Sequence, residues 1–237
     1  MKLEIKSASG PIRVFAVLAA YLVLVKLVIT FQPELFKSAS QAAVFRWPFL
    51  ALWSVLGLAG VLIARPTGFP DPLRAGSRWK VVLWPLVFGV LLGALAILTD
   101  HLTGWTGIVA AEMNIDTIHI DFPASLFTYP GGAIIVNILY RIFPIPLLLW
   151  LISTVLLHGR AQGKVFWVLA VLLSLVEPMG DLGLAKHGVG MMVAVFSQDY
   201  ALNLLEAHFF RKLGFLAPIL LRVFFYLIWH VLWGAIQ

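Results

Sequence analysis

The sequence predicts an all-α fold, a polytopic transmembrane helix bundle of about seven spans with the N-terminus inside. Composition is the first observation: 61% of the 237 residues are hydrophobic and only 12% are charged, against roughly half and a quarter in soluble domains. The second is the mean hydropathy of +0.97, which would coat a soluble fold in apolar surface that water does not tolerate in large patches. The third is the placement of charge. Basic residues gather at the ends of apolar runs, so the net charge of +6 reads as membrane topology, with no nucleic-acid partner implied.

The elements follow from length. A helix needs roughly 20 apolar residues to cross the hydrocarbon core. Runs near 11–31, 46–64, 81–99, 127–157, 165–182, 188–210 and 214–236 qualify. The first is too long for the apolar part of a signal peptide and has no small-residue cleavage site, so it is read as a retained span. The fourth contains Gly131, Gly132, Pro144 and Pro146. It is expected to kink or break near Pro144, because proline removes a backbone donor and clashes with the preceding turn. Gly89 and Gly93 form a small-xxx-small pair, read as close packing within the bundle.

Orientation follows from the positive-inside rule. With the N-terminus inside, Lys2, Lys6, Arg13, Arg65, Arg74, Arg78, Lys80, Arg160, Lys164, Arg211 and Lys212 fall on inside segments. Only Lys37, Arg46 and Lys186 fall outside. The long outside segment 100–126 has no Lys or Arg and carries Asp100, Glu112, Asp116 and Asp121 among apolar residues such as Trp105 and Ile115. It is expected to lie along the outer interface. The whole chain, 1–237, reads as one integral membrane domain, with a bacterial inner membrane as the expected setting. There is no cysteine, which excludes disulfides and thiolate metal ligands.

Function must come from polar residues placed where lipid forbids them. A charge at mid-bilayer costs about 2.5–3.5 kcal/mol even on the lenient insertion scale, so such residues face the bundle interior, pair with one another and mark functional sites. The fourth span carries Asn137 and Arg141, one turn apart on one face. The fifth ends at Glu177 before Pro178. The sixth carries Asp199, Asn203 and Glu206 on one face, and the seventh carries Arg222, Tyr226 and His230 on one stripe. Their convergence predicts a buried polar cavity in which Arg222 pairs with Glu177 or Glu206. The structural alternative is that buried Arg–Glu pairs simply hold helices in register.

The order of features from about residue 122 to 237 supplies a resemblance. Phe122-Pro123-Ala124-Ser125, followed by Gly131-Gly132 and the run to Asn137 and Tyr140-Arg141, resembles the first motif of the CPBP family. These are intramembrane metalloproteases related to CAAX prenyl endopeptidases and Abi-type bacteriocin-immunity proteins. The family's Glu-Glu-x-x-x-Arg keeps its arginine here, while Val136 and Asn137 replace the glutamates. Ser174–Pro178 sits where a Phe-x-x-x-His helix would fall, without a histidine. Gly214–Tyr226 resembles the closing helix, with Arg222 at the histidine position and Tyr226 at the asparagine position.

What the resemblance implies is a degenerate member. Arginine cannot ligate a metal, and loss of both glutamates removes the base that zinc-type hydrolysis needs. A site turned from metal binding to anion binding is the expectation. Arg141 and Arg222, with Asn137, Tyr226 and His230, would hold a carboxylate or lipid phosphate from an amphiphile or another membrane protein, with no cofactor. The alternative is a rewired metal-dependent endopeptidase, with zinc held by Glu177, Glu206 and His230. A transporter is the least supported reading, since no internal repeat or pair of broken helices is present.

Overall fold

A computed structural model describes residues 9–36, 42–73 and 78–236. Lys2, Lys6, Lys37 and Arg74, which contribute to the expected orientation, lie outside the described residues. The described chain is helical, with no strand. Helix α1 spans Ser9–Phe31, α2 Trp47–Ala64 and α3 Arg78–Thr103. The short α4, Trp105–Met113, follows a left-handed Gly104. Helix α5, Ser125–Asn137, runs into a wide π-helical turn over Ile138–Ile142. Then come α6, Pro144–Leu149, a second π-helical stretch over Trp150–Leu156, and α7, Gln162–Ser174. A 3₁₀ segment, Pro178–His187, leads into α8, Val189–Leu213. Helix α9, Leu216–Tyr226, ends in a third π-helical stretch, Leu227–Trp233.

Six of these helical stretches are long and apolar enough to cross a membrane. Helix α8 is the seventh long one, at 25 residues, but its row of polar side chains lowers its hydropathy. It tolerates them because it buries them: Gln198, Asn203 and Glu206 are all buried. Outward-facing side chains such as Val17, Val55, Leu91, Leu98, Val168 and Leu172 are exposed, as lipid-facing positions must be. The chain is a multi-pass helical membrane protein.

The interruption in the fourth span falls at Phe143, one residue before Pro144, where the backbone N–H of Phe143 bonds Ile138 O across a π turn. Proline at the next position offers no donor to restore the α-helical pattern. The fifth span departs from a continuous α-helix: α7 stops at Ser174, and the chain continues from Pro178 as a tighter 3₁₀ segment. Pro178, Gly180 and Gly183 account for that, since proline and glycine both disfavour the α-helical interior.

Two apolar clusters build the core. One joins α1, α2, α5, α6 and α7 through residues such as Phe15, Leu50, Ile138 and Phe166. The other joins α3, α8 and α9 through Val81, Leu202, Leu221 and Phe225. Helix α8 belongs to both, giving Ala207 and Phe210 to the first and Leu202 and Phe209 to the second. The Gly89 and Gly93 pair packs within the bundle, with Gly89 against Phe224 and the carbonyl of Leu221, and Gly93 against Ile228. A Cβ at Gly89 would stand 2.6 Å from that of Phe224, so glycine is what lets α3 and α9 touch. The seam between the two clusters holds the polar residues.

Candidate functional site

Each site residue reaches the seam for a local reason. Asn137 closes α5 and Arg141 follows on the π turn, which widens the helix just where the guanidinium leaves the backbone. Glu177 immediately precedes Pro178, where the fifth span passes from α7 into the 3₁₀ segment. Asn203 and Glu206 lie within α8, and Arg222 and Tyr226 lie one turn apart on α9.

Arg222 is the hub. Its Nε donates to Glu206 Oε1 at 2.8 Å, and its Nη2 donates to Glu206 Oε2 at 3.0 Å. Nη1 and Nη2 donate to the two oxygens of Glu177 at 2.6 and 2.8 Å. Nη2 also meets Asn203 Oδ1 at 2.9 Å, and Nη1 the Tyr226 hydroxyl at 3.3 Å. One planar fork therefore holds two carboxylates in paired, charge-assisted bonds, a geometry that lysine's single ammonium does not offer. Arg141 approaches Glu206 Oε2 from the other side, with Nη2 at 2.6 Å, and Glu177 Oε2 at 4.0 Å. Asn137 Nδ2 donates to Ala133 O at 3.0 Å and reaches Glu206 Oε1 at 3.5 Å. Glu206 is fully buried, and Arg141 and Arg222 nearly so. Asn137 Oδ1 and both terminal nitrogens of Arg141 have no hydrogen-bond partner among the described residues, so the 2.6 Å approach of Arg141 Nη2 to Glu206 is a charge contact without hydrogen-bond geometry.

The carboxylates beside the two arginines are the protein's own, Glu177 and Glu206. Both carboxylates proposed as ligands are closed by Arg222, and no three His, Asp or Glu among the described residues stand close enough to share a metal ion.

His230 lies apart from the ion pairs. Its Nδ1 is 3.0 Å from Nδ1 of His119, its ring stacks on Tyr129, and it packs edge-on to Tyr226. His208 stacks on Trp167. Sequence reasoning missed His119, which belongs to the stretch between α3 and α5 that contains α4. That segment is docked across the end of the bundle. Trp105 stacks on Trp229, the Thr106 hydroxyl donates to Asp100, and Ile120 N donates to the Tyr129 hydroxyl. Burial pushes the His119 imidazole pKa down, with Asp100 opposing. His119 therefore stays neutral near pH 7, and a single ring N–H serves the contact with His230.

On the same segment Glu112 bonds Lys186 at 2.7 Å and also His187. The hydrogen bond from Lys186, then that from His187, holds the Glu112 carboxyl below its ordinary range. A carboxylate with a lowered folded pKa stabilises the folded arrangement above its unfolded pKa of about 4.3 and loses that contribution as pH falls through the lowered value. Backbone hydrogen exchange over 105–113 is thus expected to be slow at neutral pH and to accelerate below that range, after correction for the intrinsic rate. Glu112→Gln should exchange fast at both. An unchanged protection factor across the range would show that the pair does not hold α4.

Beside the cluster lies a cavity of about 150 Å³. Glu177, Arg222, Tyr226 and His230 form its polar wall, and Trp105, Phe225 and Trp229 its aromatic one; Gln198, Asp199 and Leu202 complete it from α8. Glu177, with 26% of its side chain exposed, sits at its edge. A multi-pass helical membrane protein with a buried two-arginine, two-glutamate cluster beside a small polar cavity is the class that fold and site define. No protein-family model, no curated protein and no solved structure matches the chain.

Proposed function

We propose that this is a non-catalytic protein of CPBP-like build, a pseudoenzyme of a bacterial inner membrane, which receives the polar head of an amphiphile or of a membrane partner in the cavity beside Arg222. The observation that carries the reading is the closure of Arg222 by Glu177 and Glu206 next to a cavity that stays open. Convergence of Asn137, Arg141, Arg222 and Tyr226 supports the resemblance, because these stand at the motif positions that an intramembrane metal site of that family would have to bring together. Their chemistry supports loss of hydrolysis. A guanidinium stands where a ligand would be, and the nearby carboxylates are spent on neutralising it.

The test is native mass spectrometry of gently detergent-purified protein, comparing the wild type with Leu202→Phe. Leu202 is buried and lines the cavity, so a larger ring there occupies the space with little change in polarity. The wild type is expected to carry a small amphiphile at substantial occupancy, with affinity about tenfold weaker in the variant, a loss of roughly 1.4 kcal/mol of binding. An identical complement of bound molecules in both proteins would contradict the proposal.

A further inference from the structure

The cavity has a chemistry of its own, and it is acidic and aromatic. Around Arg222 and Arg141 stand four carboxylates, Glu177, Glu206, Asp181 and Asp199, and the ion pairs of the two arginines are with the glutamates. The Asp199 carboxylate faces the cavity and has no hydrogen bond or ion pair among the described residues. Asp181 has a buried Oδ2 with no partner and lies within electrostatic reach of Asp199. Carboxylates inside a bundle that lack a cation are costly, so this side of the cluster favours a positive guest.

Shape and walls narrow the guest. Trp105 and Trp229, stacked with centroids 5.9 Å apart, and Phe225 supply ring surface, and aromatic surface beside carboxylate is the chemistry that holds organic ammonium groups. Gln198, only 8% exposed, accepts from the Thr99 hydroxyl through Oε1, and its Nε2 has no partner among the described residues. That amide can donate to an oxygen beside the ammonium. A cavity of about 150 Å³ holds roughly five waters' share of liquid, which is room for a head group and not for a whole amphiphile.

Taking the binding reading above as its basis, we infer that the guest is an organic ammonium head bearing a nearby oxygen acceptor, bound between Asp199 and the Trp105–Trp229 wall. A free amino alcohol and a zwitterionic lipid head group share this chemistry.

The experiment measures thermal stabilisation of purified protein by choline and by ethanolamine against sodium at equal ionic strength. It is repeated in nanodiscs of phosphatidylcholine or phosphatidylethanolamine against phosphatidylglycerol. Wild type is compared with Asp199→Asn, which is nearly isosteric and breaks no hydrogen bond, so it should fold as the wild type does. The expected result is ammonium-specific stabilisation, with affinity about tenfold weaker in Asp199→Asn. A response to the free amines assigns a soluble guest, and one confined to zwitterionic nanodiscs assigns the lipid. Equal stabilisation by sodium, or undiminished ammonium binding in Asp199→Asn, overturns the inference. Stabilisation by phosphatidylglycerol alone overturns it while leaving the binding reading intact. No ligand effect, together with no bound amphiphile in the mass spectra, overturns both.

Discussion

Glu206→Gln is expected to cost about 3–5 kcal/mol of folding stability, the range found when one partner of a buried ion pair is removed. Glu206 has no exposed surface and lies between Arg141 at 2.6 Å and Arg222 at 2.8 Å. The neutral amide keeps the volume but removes the negative charge, leaving two buried guanidiniums to share Glu177. Ordinary hydrogen bonds between membrane helices average only about 0.6 kcal/mol, so a loss of several kcal/mol identifies charge and not bonding as the dominant effect. The charge-balanced double variant Arg141→Met, Glu206→Gln should recover part of the loss, because Arg222 and Glu177 remain a complete bidentate pair. A favourable coupling of about 1–3 kcal/mol is expected in the cycle. Unfolding in mixed detergent micelles reads both quantities. Strict additivity would mean that Arg141 and Glu206 do not interact.

Arg222→Leu should do more damage, abolishing stable monodisperse protein in detergent. It strips the donor from both oxygens of Glu177 and of Glu206, and from Asn203 Oδ1. What remains is two carboxylates sharing the single guanidinium of Arg141, 2.6 Å from Glu206 but 4.0 Å from Glu177, an excess of buried negative charge disfavoured both by desolvation and by mutual repulsion. Arg222→Lys should be intermediate: it restores the charge, but a single nitrogen does not reproduce a fork bonded to two carboxylates at once. Size-exclusion chromatography before and after a heat step ranks the three. If Arg222→Leu survived as the wild type does, the arginine would be a snorkelling residue and the seam would be held by apolar packing alone.

Much of this was legible in the residues, and the reasons are physical. Apolar runs of membrane length mark the spans because lipid permits little else. Asn137 and Arg141, or Arg222 and Tyr226, share a face because helical spacing requires it, and charges inside spans must find one another. The expected partner of Arg222 was Glu177 or Glu206, and the structure pairs it with both. Less legible was how charge would be apportioned. The burial of Glu206 between Arg141 and Arg222 is a tertiary fact that spacing does not carry. The π-helical stretches at Ile138–Ile142, Trp150–Leu156 and Leu227–Trp233 also escape a 3.6-residue period. His119 and Trp105 reach the site from a segment whose docking depends on contacts more than a hundred residues away in sequence, such as the 111-residue separation of His119 from His230.

The central claim is that the converged residues form a closed ion-pair cluster serving a binding cavity, in place of a metal-dependent catalytic centre. Elemental analysis for zinc tests it most directly, on gently purified wild type and His230→Ala, before and after zinc is added and the excess removed. The account predicts background metal in both proteins throughout. Near-stoichiometric zinc in the wild type that His230→Ala abolishes would contradict it and restore the metal-dependent hydrolase.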